Sequence, residues 1–269
     1  MTIDDIKGLK EKDGMTEEQI SETTDIPSNI LSMWFSGELE EPKYMTPQEF
    51  GEFLAEHGVP FCYDETTGFP CLLREEAVAY NFNARQYYEG KIKELCDVAL
   101  VEVIDRKIYT MSTPNRMHQF LVAKLLIRIG NHIEKKRGKC HVYPAPFGVR
   151  LFADDETWVE PDILVICKKD IMTDRGCDGA PDLIVEIVSL NNMFHDYVTK
   201  LVKYQQAGVH EYWIVDPINE RITLYHFQES VQKADYTYED TIPSKVLEGF
   251  EIRVADFIGE YDEAEEFIK

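Results

Sequence analysis

Two acids set in strongly apolar runs are the residues of this chain best suited to chemistry. Asp162 lies in the run 158–167 (WVEPDILVIC) and Glu186 in the run 181–189 (PDLIVEIVS). Both runs read as central β-strands. An ionised carboxylate in a dry core is strongly disfavoured unless it is paired or binds a metal. Neighbouring strands of one sheet lie roughly 4.8 Å apart. Acids on the same face of two such strands can share one cation, about 2.1 Å from each oxygen. Without it, two carboxylates about 5 Å apart repel by roughly 3 kcal/mol at an effective dielectric of about 20. A divalent ion removes that repulsion, polarises a phosphate and makes bound water more acidic. The pair therefore points to a Mg²⁺ or Mn²⁺ site for phosphodiester hydrolysis, with Asp162 and Glu186 as metal ligands.

The next segment, FHDYVTKLVKYQQAG (194–208), supplies the cation such a reaction uses. At 100° per residue Tyr197, Leu201 and Tyr204 share one helix face, with Lys200 inside it and Lys203 at its edge. A lysine held near the metal orients the attacking water and stabilises the charge that builds on phosphorus. Lys200 is thus the third catalytic candidate. Other readings stay open. Asp196 and Lys200 also suit an i,i+4 pair on a solvated surface. Burial of the second stripe, Phe194, Val198 and Val202, would turn Lys200 to solvent. An Asp after Pro is often a strand-end turn residue, and a strand Glu can face solvent at an edge. The two acids could also form a hydrogen-bond network with no metal. Asp182 opens its strand outside the apolar run and is the weaker ligand. His118 could reach the substrate or the metal, and Glu102 could be an extra ligand. Trp213 and Tyr212 read as core.

The scaffold around these residues follows from periodicity. Residues 113–137 form a long helix. Residues 97–109 alternate as a hairpin. The strand 140–152 is interrupted by Pro144 and Pro146, which suits a bend or a sheet edge. Strands at 158–167 and 182–189 follow. A helix over 192–207 is stopped by Gly208. Strands at 210–216 and 221–227 finish the core. The order α, β, β, β, α, β with an antiparallel finish is a mixed α/β core. Upstream lie short helices. Thr16 and Gln19 make a capping box for one over 17–23. Ser28 can cap another over 29–35, ended by Gly37. Thr46-Pro47 starts a fourth.

With 269 residues the chain makes one large domain or two small ones. Fifty acids against 28 lysines and arginines give a net charge of −22, which excludes broad electrostatic adhesion to nucleic acid or anionic membrane. Any DNA contact then needs a local patch. Lys135, Lys136, Arg137 and Lys139 are the densest one, although the same cations also suit a helix C-terminus. No apolar run reaches membrane-spanning length. The charged N-terminus lacks a signal-peptide core. The six cysteines show no CxxC and no zinc spacing, so free thiols in a reducing cytoplasm are expected, with Cys167 as a small buried thiol.

The segment DRGCDGAPDLIVEIVS, followed by D-x3-K-x3-Y-x2-AGV-x-EYWIVDP, is similar to the Uma-type restriction endonuclease family of the PD-(D/E)XK nuclease superfamily. The likeness runs from about Tyr80 to Tyr261, through VEVID, the 112–118 stretch, YPAPFGVRL and EPDILVIC. It implies a restriction-endonuclease-like αβββαβ core and Asp162 and Glu186 as metal ligands. The lysine of the usual ExK is absent, since Glu186-Ile187-Val188 ends in Val. In this family it is displaced onto the following helix, matching Lys200. The chain departs from the family at Ser189-Leu190-Asn191, often Ser-Pro-Ser, and at Arg106, usually Gly. Residues 14–37 resemble a phage-repressor helix-turn-helix, with Ile20, Ile26, Ile30 and Trp34 at its core spacing and Asp25 at the usual turn glycine. Residues 1–60 carry 14 acids against 4 lysines, and the 28–35 helix offers no Arg or Lys to DNA.

The sequence thus predicts a helical module over 1–57, a linker over 58–85 and a nuclease-like domain over 86–262. The expected function is metal-dependent DNA endonuclease. The alternative is an inactive nuclease fold acting as a regulator or protein-interaction module. Cutting both strands favours a homodimer. The N-terminal module would bind DNA or protein.

Overall fold

The structure is a computed structural model that describes residues 2–56, 58, 61–63, 70–72, 101–111, 113–153, 156–174, 176–189, 192–228 and 230–265. Most of the expected linker, residues 97–100 of the expected hairpin, Ser112 and the Leu190-Asn191 departure lie outside them. By contacts the chain divides into two compact units. One comprises Met1–Pro42, Pro114–Phe152 and Glu160–Lys269, the other Lys43–Thr113 and Ala153–Val159.

In chain order the helices and strands begin with α1 (Ile3–Glu11), α2 (Glu17–Thr24), α3 (Ser28–Ser36), α4 (Pro47–Glu56), β1 (Phe61–Tyr63) and β2 (Pro70–Leu72). Next come β3 (Val101–Ile104), β4 (Lys107–Thr110), α5 (Arg116–Lys136), β5 (His141–Pro144), β6 (Gly148–Arg150), β7 (Trp158–Val159) and β8 (Ile163–Ile166). They continue with β9 (Met172–Thr173), β10 (Gly176–Asp178), β11 (Leu183–Ile187), a π-helix (His195–Lys200), α6 (Leu201–Ala207), β12 (Glu211–Asp216) and β13 (Arg221–His226). The last are β14 (Gln232–Thr237), β15 (Ile242–Pro243), β16 (Glu251–Ile252) and α7 (Ala255–Glu265).

The second unit pairs β3 with β4 as a hairpin and β3 with β7 through Val103 and Trp158. Phe50 and Leu54 of α4 pack on Val103 and Ile108.

The first unit is built on a sheet in the order β14-β13-β12-β11-β8-β5. β11 runs parallel to β12 and antiparallel to β8, and β12–β13 is antiparallel. The series α5, β5, β8, β11, π/α6, β12 is the αβββαβ core expected from the sequence, and the mixed α/β class holds. Side chains alternate across a sheet. Leu121, Leu125, Ile129 and Ile133 of α5 recur at helical spacing and bury against the face that carries Ile163, Val165, Leu183, Val185 and Ile187. Alternation then puts Ile184 and Glu186 on the opposite face, the face of Tyr212 and α6, where Tyr204 meets Tyr212 edge-on at 4.9 Å. The small helices belong to this unit as well. Thr16 and Gln19 make the predicted capping box of α2, Asp25 is left-handed at φ 61°, and Gly37 ends α3 at φ 83°. Trp34 packs edge-on against Phe194 at 4.9 Å, and the Tyr225 hydroxyl donates to the Asp25 carbonyl at 3.1 Å.

Several expectations are corrected. The run 158–167 is not one strand, because Pro161 lacks a ladder donor; β7 and β8 are separate, and Asp162 stands just before β8. The run 140–152 likewise splits into β5, at the sheet edge, and β6, which pairs with β10. The helix over 192–207 is π-helical from His195 to Lys200 before it becomes α6. Finally, Cys140 and Cys167 are disulfide-bonded, not free. Antiparallel β5 and β8 pair His141 with Ile166, so the two cysteines stand opposite each other one residue further on. Cys177 is a buried free thiol whose pKa is pushed up to about 12 by burial. The side chains of Cys62, Cys71 and Cys96 lie outside the described residues. Among the described residues no helix is long and apolar enough to cross a membrane.

Candidate active site

Asp162 and Glu186 meet because β8 and β11 are in register. Ile163 pairs with Val185, so the next step along the ladder sets Asp162 against Glu186. The Asp162 N–H points to Glu186 Oε2 at 3.4 Å, and the Ile187 N–H donates to Asp162 Oδ2 at 2.8 Å. The two carboxylates therefore share one end of the sheet, and the opposite-face arrangement does not occur. Their settings differ. Glu186 lies inside a central strand and is 3% exposed, whereas the Asp162 side chain is 15% exposed.

Lys200 reaches Glu186 from the segment after β11. Its Nζ lies 2.9 Å from Glu186 Oε1, and both groups are buried. Asp196, one turn earlier, is 3.9 Å from the same ammonium and also buried, so this i,i+4 pair is not on a solvated surface. The π-helix accounts for the inward aim. Its wider turn breaks the 100° phase used to draw the two competing stripes. Residues from both stripes, Tyr197 and Val198 among them, are buried together with Lys200. Lys203 is buried too, and Lys200 forms an ion pair with Glu186.

Two further side chains complete the constellation. The Tyr204 hydroxyl donates to Glu186 Oε1 at 2.6 Å. Sequence reasoning gave Tyr204 only a place on a helix face; its signal was the K-x3-Y spacing, one turn beyond Lys200. His118 Nε2 lies 3.1 Å from Asp162 Oδ2. The Asn115 side chain caps α5 through the His118 N–H at 2.9 Å, which fixes the first turn that carries this imidazole. Burial acts to lower the His118 pKa. The hydrogen bond to Asp162 and the charges of Asp162 and Glu186 outweigh it, and the pKa is raised.

Asp182 is a buried pin between strands: its Oδ2 accepts from the Cys167 N–H at 2.7 Å and its Oδ1 lies 3.4 Å from His210 Nδ1. Glu102 is buried on β3 of the second unit. Tyr212 and Trp213 are core, as expected. Sequence reasoning did not single out Glu211, a fully buried acid on β12. Its oxygens take the Trp213 indole N–H at 2.6 Å and the Lys245 N–H at 2.7 Å, which makes it a structural anchor.

The donor set suits a hard divalent cation. Mg²⁺ typically takes one or two carboxylates and fills its remaining positions with water or substrate oxygens. Asp162 Oδ1 has no hydrogen-bond partner among the described residues, and the Asp162 side chain is partly exposed. Among the described residues no group of three or more His, Cys, Asp or Glu could hold a metal ion.

No curated protein matches this chain. A solved structure described as a putative nuclease belonging to DUF820, from Anabaena variabilis ATCC 29413, is similar over 59% of this chain and 89% of that chain, with 17% identity and a TM-score of 0.49. A family model described as "Uma2: Putative restriction endonuclease" matches residues 93–255, a stretch that contains Asp162, Glu186, Lys200, Tyr204 and His118. That stretch is more than half of the chain, and the protein belongs to the Uma2 family.

Proposed function

We propose that this protein is a metal-dependent endonuclease that hydrolyses DNA phosphodiester bonds. One observation carries the reading: two register-matched acids share a sheet end, and a buried lysine is delivered to one of them from the following helix. Family membership supports nuclease chemistry. Asp162 and Glu186 would hold Mg²⁺ or Mn²⁺. When bound, the ion supplies Lewis acidity at the scissile phosphate and lowers the pKa of a water. The chain's own side chains do the rest. Tyr204 holds Glu186 Oε1 in place, and the Ile187 N–H holds Asp162 Oδ2. Lys200 brings an ammonium to the carboxylate pair, where it can donate to a phosphate oxygen or to the attacking water.

The DNA backbone would be met by the exposed Lys135, Lys136, Arg137 and Lys139, none of which forms an ion pair among the described residues. Two copies acting together would cut both strands. The helices at the N-terminus would serve as a contact module for protein or DNA, and a cytoplasmic setting would give access to the substrate. Purified protein incubated with plasmid and Mg²⁺ tests the reading. Nicking or linearisation is expected, and Asp162→Ala or Lys200→Ala should lower it at least a hundredfold. Cleavage unchanged in Asp162→Ala would sink it.

A second reading rests on Glu186 Oε1, which already takes Lys200 and Tyr204. If the acids serve only this network, the protein is an inactive nuclease fold with a regulatory or binding role. Mn²⁺ then raises the melting temperature of neither the wild type nor Glu186→Ala. A nuclease site gains stability from Mn²⁺ and loses that gain in the variant.

A further inference from the structure

We infer that His118 is a positioning residue. Its hydrogen bond to Asp162 Oδ2 turns that carboxylate so that Oδ1 is presented to the divalent cation. The inference deepens the proposed function and rests on its reading of Asp162 as a metal ligand. Asp162 Oδ2 is held from two directions, by the Ile187 N–H at 2.8 Å and by His118 Nε2 at 3.1 Å. A carboxylate fixed at one oxygen by two donors from different elements cannot spin about its last bond. The other oxygen, which has no protein partner among the described residues, then keeps one direction. This is the work that second-layer hydrogen bonds do in metal sites, where they set the orientation and basicity of the ligand.

A separate observation argues that His118 is not kept for packing. The residue is 5% exposed, and its Nδ1 is buried without a hydrogen-bond partner among the described residues. With either tautomer, or with both nitrogens protonated, one buried polar atom stays unsatisfied, and that opposes folding. A leucine at this turn of α5 would extend the stripe of Leu121, Leu125 and Ile129 at no such cost. The bond to Asp162 is the one contact that a leucine could not make.

The test uses MnCl₂ alone, titrated into the full chain by calorimetry, with the metal-free melting temperature measured alongside. His118→Leu should weaken Mn²⁺ binding about 10–100-fold while melting no lower than the wild type. His118→Gln, whose amide can reach the same oxygen, should recover most of the affinity. His118→Asn, one methylene shorter, should not. If the leucine variant fails to fold, the Gln and Asn pair decides between a hydrogen bond and mere polarity. His118→Leu binding Mn²⁺ within about twofold of the wild type overturns the inference and leaves the metal site standing. Equal binding by Gln and Asn overturns it too. A wild type that binds no Mn²⁺ brings down the metal reading itself, and this inference with it.

Discussion

Glu186 is the residue on which the site turns, because one of its oxygens serves two buried donors at once. Lys200 Nζ at 2.9 Å and the Tyr204 hydroxyl at 2.6 Å share Oε1. Breaking a buried ion pair from one side strands the other charge, at about 3–5 kcal/mol. Lys200→Met should therefore lower urea-unfolding stability by about that amount. Lys200→Met combined with Glu186→Leu should be clearly more stable than either single variant, because neither member of the Lys200–Glu186 pair is left without the other. Strict additivity in this cycle would show that the pair is not coupled. Asp162 and Glu186 were legible in the sequence because charges inside apolar runs are anomalies, and Lys200 through its place on a helix face. Cys140 and Cys167 were not. Nothing in their spacing marks a pair, and only the register of β5 on β8 sets them face to face. Tyr204 was half legible: its spacing from Lys200 was visible, but not that its hydroxyl would turn toward Glu186.

At the scale of elements, the π-helix concentrates groups that a regular helix would have spread around its circumference. His195 is one of them, 7% exposed. Burial, with the charge of Lys200 beside it, pushes its pKa from 6.5 down to about 3. The unfolded chain therefore takes up a proton below pH 6.5 that the folded chain refuses until about pH 3. The stability that His195 contributes is complete above pH 6.5 and is lost as pH falls through that window. The loss runs at up to about 1.4 kcal/mol per unit. The raised pKa of His118 acts in the opposite sense, so the comparison must be between chains that both contain it. The stability advantage of wild type over His195→Leu, measured by urea unfolding, should shrink from pH 7.5 to 5.5; a constant difference refutes the assignment. The β5–β8 disulfide makes a second element-scale prediction. It closes a loop with a sequence separation of 27, and constraint of the unfolded chain gives it about 3–4 kcal/mol. A dithiol reductant should lower unfolding stability by roughly that amount. Strand boundaries were the least legible part of the fold. The run Trp158–Ile166 reads as one strand, and the missing N–H of Pro161 divides it.

For the molecule as a whole, charge decides how a polyanion can be approached. A net charge of −22 repels DNA almost everywhere, yet the four cations at the end of α5 stay exposed without carboxylate partners among the described residues. α5 also carries His118 near its start, and 19 residues of helix span roughly 28 Å, about eight base pairs of B-form duplex. Replacing Lys135, Lys136 and Lys139 with Glu should weaken duplex binding by a cleavage-inactive Asp162→Asn protein. It should also flatten the salt dependence of that binding by about one unit of log–log slope for each phosphate no longer neutralised. An unchanged slope would place the DNA on another face. The packing of the N-terminal helical segment was legible, since Ile20, Ile26, Ile30 and Trp34 are all buried. Its partner was not legible, because Trp34 rests on Phe194 and the outward residues Ser28, Asn29 and Ser32 carry no charge.

The wide turn ahead of Lys200 also bears on how such a site can be silenced. A π-turn holds one residue more than an α-turn. Substitutions that let ordinary helix form over the same residues, with none lost, would therefore swing the ammonium by about 100°. Asp162, Glu186, Tyr204 and the lysine itself would all still be encoded, so an inactive descendant could keep every residue by which an active one is recognised.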